Sequence, residues 1–144
     1  GESVALPCFF IKIAPVQQEG IMTVKEIIDR TDEIKPNQYS TEQKTEWLSR
    51  LDIQIYNEVM KTHEDCDMDG FEGHAGETAE LLVGSPYDDM YRYYLESMID
   101  YANQEIAKYN NSSAMFDERY TEFCRNYNRT HMPVHPVNEI LFRG

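Results

Sequence analysis

Apolar residues recur at helical spacing in four stretches of the chain. In the first, Ile27, Ile28 and Ile34 form a short apolar face. It follows Thr23 and Glu26, which are spaced as a capping box, with Met22 and Ile27 flanking the cap as a hydrophobic staple. Pro36 ends this helix, because the residue before a proline is excluded from helical geometry. The second begins near Ser40, where Gln43 allows another capping box. Trp47, Leu48, Leu51, Ile55 and Val59 then recur at spacings of three and four, which predicts an amphipathic helix running to about His63.

The third predicted helix opens with Ser85 as N-cap and Pro86 at the first helical position. Asp88 and Asp89 follow in the first turn, where carboxylates suit the positive end of the helix dipole. Its apolar face is Tyr91, Tyr94, Leu95, Met98, Ala102, Ile106 and Tyr109. Asn110-Asn111-Ser112 carries turn and N-cap chemistry and predicts the break before a fourth helix. That helix buries Phe116, Tyr120, Phe123, Cys124 and Tyr127. A short connection makes helices three and four antiparallel neighbours. Pro133 and Pro136 end the helical part. The expected fold is all-α, with helices three and four as the core, helix two packed on it and helix one bracing it. Residues 1–21 form an N-terminal extension, expected to be an arm or poorly ordered. Residues 22–133 form the helical domain, and 134–144 an extended tail.

Between the second and third helices the pattern lapses. Residues 63–80 hold seven acids, three glycines and no lysine or arginine. This composition predicts a loop. Leu81, Leu82 and Val83 then form a short apolar run that is either a strand or a plug in the core.

Composition narrows the function classes. A chain of 144 residues is about one domain long and can bury a real core. Acids outnumber bases 26 to 13, a net charge of -13, more than half of it in the 63–80 loop. That argues against binding nucleic acid or anionic membrane through a basic surface. No apolar run reaches the length of a membrane span. Val4 to Val16 is apolar but follows Glu2 and lacks a basic leader, so a signal peptide is not expected. Cys8, Cys66 and Cys124 are odd in number and widely spaced, which favours a reducing compartment over a disulfide framework.

The sharpest chemical motif is Asp65-x-Asp67-x-Asp69-Gly70, the opening of an EF-hand calcium loop. Position 12 of such a loop needs a bidentate acid. Here it is Gly76, with Glu77 one residue late, and no adequate exiting helix follows. Calcium binding through Asp65, Asp67, Asp69 and Glu77 is therefore the alternative function, set against a solvated acidic loop. His63, Cys66 and His74 lie near one another in sequence but match no common zinc spacing. His131 and His135 are four apart with Pro133 between them, which spoils a shared helical face. No nucleophile elbow, phosphate loop or nucleotide fingerprint occurs. Cys124 reads as a small core residue. The expectation is that the protein is not an enzyme and needs no cofactor.

Eight of the ten tyrosines fall between Tyr87 and Tyr127. The predicted stripes absorb Tyr91, Tyr94, Tyr109, Tyr120 and Tyr127. Tyr87, Tyr93 and Tyr101, with Arg92, are left on other faces of helix three. Either a small domain simply exposes them, or they serve an interface, since Tyr and Arg are favoured there. Tyr87, Arg92 and Tyr93 are the candidate partner contacts.

An ordered string of short patterns resembles the head–tail connector (adaptor, or head-completion) proteins of tailed phages and prophages. It comprises Leu81-Leu82-Val83, Pro86-Tyr87-Asp88-Asp89, Tyr91, Tyr94-Leu95, Ile99-Asp100, Ala102-Asn103, Glu105 and Lys108-Tyr109-Asn110-Asn111, then Tyr127-Asn128-Arg129-Thr130-His131-Met132-Pro133. Thr23-Val24-Lys25, Asp29-Arg30, Pro36-Asn37 and Trp47-Leu48 fit the same pattern. The likeness covers roughly residues 22–133 and leaves the 64–80 loop unmatched. It implies a helical subunit of a homo-oligomeric ring in the virion or host cytoplasm, between the portal protein and the tail-proximal connector protein. It implies no catalytic residues. DNA would pass such a ring without specific binding, which an acidic lumen favours. The acidic loop is expected to face that channel or a neighbouring subunit.

Overall fold

The computed structural model describes residues 20–63, 66 and 68–132. They form four helices: α1 (Val24–Ile34), α2 (Thr41–Glu58), α3 (Asp89–Ala102) and α4 (Ile106–Thr130). The architecture is all-α, as the periodicity predicts. The expectations for residues 1–19 and 133–144, and for Asp65 and Asp67, lie outside the described residues.

Local chemistry explains where the first two helices start and stop. The Thr23 N–H donates to Glu26 Oε1 at 3.0 Å, and the Glu26 N–H donates back to Thr23 Oγ1 at 3.2 Å, completing the capping box. The next free donors of α1, Val24 N–H and Lys25 N–H, reach the carbonyls of Ala79 and Glu77, each at 2.9 Å. The loop thus satisfies the helix end that no internal bond can reach. Ser40 Oγ caps α2 by accepting from Gln43 N–H at 3.1 Å. A single 3-10 turn, Met60–Thr62, ends the second helix before a buried His63.

Leu81 and Val83 are buried and plug the core, which resolves the choice left open by their composition. Leu81 N–H donates to the Met22 carbonyl, and one antiparallel bridge joins Thr23 to Glu80, but no strand forms among the described residues. Gly84 is required at the crossing with the entering chain. A Cβ there would stand 2.3 Å from the Gly20 carbonyl oxygen, which accepts from Ser85 N–H at 2.7 Å.

Three expectations are corrected. First, Ser85 and Pro86 do not open the third helix. Tyr87 N–H closes a turn onto the Gly84 carbonyl, and the α-helix begins only at Asp89. Second, Asn110-Asn111-Ser112 is not a break. Ser112 is buried inside α4, where its hydroxyl donates to Asp100 and contacts the Lys108 carbonyl, so the one turn-prone side chain that faces inward is absorbed by a tertiary bond. The real turn is Asn103–Glu105, with Gln104 at φ 63, a left-handed residue that lets the chain reverse. Ile106 and Tyr109 consequently belong to α4.

Third, the core is not centred on α3 and α4. Its buried apolar residues come from α1 (Val24, Ile27, Ile28), α2 (Trp47, Leu48, Leu51, Ile55), the 81–83 plug and α3 (Met90, Tyr91, Leu95, Ile99). The 25-residue α4 adds only Phe123 to that cluster. It lies antiparallel along α3, tied by Ser112 to Asp100 at one end and Arg119 to Asp89 at the other. A row of half-buried rings, Phe116, Tyr120 and Tyr127, packs on the core from α4, so the predicted stripe is real but serves as a lid.

Candidate interaction surfaces

The interior holds several buried polar groups, and Asp52 gathers the most partners. Asp52 sits on the apolar face of α2 beside Leu51 and Ile55, fully buried. Its carboxylate accepts from Tyr91 Oη at 2.6 Å, Leu82 N–H at 3.1 Å and His74 Nε2 at 2.6 Å. The Tyr91 hydroxyl in turn accepts from Val83 N–H at 3.0 Å. Side-chain exposure is 4% for His74 and 0% for Asp52. Burial, followed by the neighbouring Asp52 charge, pushes the Tyr91 phenol well above its ordinary value. Every donor in this network has an acceptor, so its work is positional. It clamps α2, α3 and the 74–83 segment together. The sequence signal was a lone acid on an apolar stripe, which the periodicity reading passed over.

The clamp shapes a groove. Gly73, at φ 114, turns the chain so that His74 N–H donates to Ser49 Oγ at 2.8 Å. The segment 74–77 then runs beside the first half of α2, leaving a groove of about 640 Å³. Glu42, Glu46 and Glu77 line it together with the hydroxyls of Thr41, Thr45 and Ser49. It is acidic and hydrogen-bond accepting.

The opposite charge gathers elsewhere. Tyr87 packs edge-on against Phe123, with ring centroids 6.1 Å apart. Beside it, Arg125 and Arg129 project from successive turns of α4, and with Glu122 they line a concavity of about 220 Å³. Both arginines are exposed, and neither has an ion pair among the described residues. Lys25, Lys35, Lys44, Arg50, Arg92, Lys108 and Arg119 are all paired with carboxylates.

The candidate contacts fall in two places. Tyr87 belongs to the arginine concavity. Arg92 and Tyr93 lie further along α3, where the Arg92 guanidinium stacks 4.4 Å above the Tyr93 ring and pairs with Glu96. Tyr93 borders a second concavity with Lys35, Lys108 and Met115, where Lys35 pairs with the buried Asp100. Tyr101 and Ile106, 61% and 55% exposed, flank the α3–α4 turn.

The metal candidates do not converge among the described residues, which contain no group of three or more His, Cys, Asp or Glu side chains able to hold an ion. His63 is used internally, bonded to the Val59 carbonyl and Asn128. His74 is held by Asp52. Asp69 is exposed, and Glu77 stands on the acidic groove. No helix follows Gly70 until Asp89. Burial pushes the Cys124 thiol up, which makes it a poor nucleophile. No described helix is long and apolar enough to cross a membrane. No family model, curated protein or solved structure matches the chain.

Proposed function

We propose that this chain is a structural subunit of a phage or prophage head–tail connector ring, acting in the virion and assembled in the bacterial host cytoplasm. It binds copies of itself, the portal protein and the tail-proximal connector protein, and it catalyses nothing. The observation that carries this reading is the state of α4. A helix of 25 residues buries only Ser112 and Phe123 and leaves Ile106, Met115 and much of its polar face uncovered. A helix that packs along α3 on one side and leaves apolar side chains exposed on the other fits a role in which other chains complete its packing. The motif string that resembles connector proteins spans the same helices. The net charge of -13 suits a channel through which DNA slides without sticking.

The test is to mix the purified chain with a purified portal protein from the same genome, and to image the product by electron microscopy. Rings of the chain seated on the portal are expected. A chain that leaves the portal bare at every ratio would sink the proposal.

A further inference from the structure

We infer that copies of this chain join head to tail, with the Tyr87–Arg125–Arg129 patch of one copy seated in the Glu42–Glu46–Glu77 groove of the next. The occupant of the groove is a second copy, and charge complementarity selects it. Among the described residues, Arg30, Lys61, Arg125 and Arg129 have no ion pair, and of these the last two stand one helical turn apart beside an aromatic ring, with Glu122 at the edge of the same concavity. The groove offers what guanidinium groups bind: the carboxylates of Glu42 and Glu77 and the hydroxyls of Thr41 and Thr45, with Glu46 shared with Arg50 of the same copy.

The two surfaces cannot meet within one copy. Glu58, at the end of α2, accepts from Tyr120 Oη at 3.0 Å, and His63 just beyond it bonds Asn128. The last turns of α2 therefore abut the half of α4 that carries Arg125 and Arg129. Glu42 lies sixteen residues back along α2, roughly 24 Å away at the helical rise. Patch and groove thus sit at opposite ends of the bundle. Different surfaces that fit each other make a heterologous contact, which closes into a ring or runs on as a filament.

Both sides are held in advance. The groove wall at His74 is pinned to Asp52 and Ser49, and Tyr87 rests on Phe123. Little side-chain freedom beyond the two arginines is lost on docking. The inference rests on the connector reading only for ring closure. The docking itself follows from the two surfaces.

Charge reversal tests it on the full chain. Arg125→Glu with Arg129→Glu makes the patch acidic, and Glu42→Arg with Glu77→Arg makes the groove basic. All four positions are exposed, so helical content and melting temperature serve as controls for folding. Each double variant alone is expected to self-associate about 100-fold more weakly than the parent in sedimentation equilibrium at low salt. An equimolar mixture should recover association to within about tenfold, because the acidic patch of one variant meets the basic groove of the other. Variants that associate like the parent, or a mixture that stays as weak as its components, would overturn the inference. A parent that forms no oligomer either alone or on the portal does the same. Rings that form on the portal unaffected by the reversals overturn the docking mode and leave the connector reading standing. Recovered pairing without any portal binding does the opposite. If the arginine reversals abolish binding to duplex DNA and leave self-association intact, the patch serves phosphate and the inference is wrong.

Discussion

The interior around Asp52 and the outer face of α4 handle polar and apolar groups in opposite ways. Around Asp52 a carboxylate is taken out of water and three donors are turned towards it. On α4, Arg125 and Arg129 have no ion pair among the described residues, and Ile106 and Met115 stay partly in water. The first arrangement is complete within one chain. The second is what a surface looks like when its remaining partners belong to another chain. The difference separates residues that make the fold from residues available for assembly, and substitutions on the two sides should separate just as cleanly.

The largest expected effect is Asp52→Ala. It removes the acceptor for Tyr91, Leu82 and His74 at once and leaves buried donors without water. A loss of about 4 kcal/mol in urea unfolding is expected. A loss below about 1 kcal/mol would mean that the clamp is not what holds the 74–83 segment. Phe123→Ala comes next, at about 3 kcal/mol, because Phe123 is the one side chain that α4 commits to the buried apolar cluster. If Phe123→Ala instead cost no more than a surface change, α4 would be detachable, and the contrast between its two faces would vanish.

What sequence reasoning captures and misses follows the same division. The capping box at Thr23, the Ser40 cap and the stripe from Trp47 to Val59 are local chemistry, and they appear where expected. The break assigned to Asn110–Ser112 failed because Ser112 bonds Asp100, twelve residues away in sequence and invisible to a window along the chain. The reversal at Gln104 carries no glycine to mark it. Asp52 could have been noticed, as an acid in line with Leu48 and Ile55, but its partners lie 22 to 39 residues further on. Tyr87 was legible as an interface candidate. Its neighbours Arg125 and Arg129 were not, because only the folding of α4 back along α3 brings them beside it.

Tyr91→Phe probes the interior with a smaller change. It deletes one hydroxyl, leaving Asp52 with one donor fewer and Val83 N–H without its acceptor, at an expected cost of about 2 kcal/mol near neutral pH. It also has a pH signature. The folded phenol titrates well above its ordinary value, chiefly through burial and then through Asp52. The stabilisation tied to its neutral form is therefore complete below the unfolded tyrosine value near 10 and is lost as the pH climbs from there towards the folded one. The parent should lose stability steeply above pH 10, and the Tyr91→Phe chain should do so less steeply. Equal slopes in urea unfolding across that range would assign the alkaline loss to other groups, such as Tyr94 and Tyr120, which burial also raises.

The smallest effect on folding should come from the outer face, and there a small number is the informative result. Ile106→Ser and Met115→Ser alter side chains that are 55% and 40% exposed, so each should move stability by no more than about 1 kcal/mol. If α4 is completed by other chains, the same two substitutions should still weaken ring formation on the portal, because they remove apolar area that only assembly buries. Stability and assembly would then respond to different residues: Asp52 and Phe123 for one, Ile106 and Met115 for the other. A variant that folds normally and assembles normally would leave the exposure of α4 without a purpose. The comparison would then shrink to the arginine patch, where charge rather than apolar area decides how copies meet.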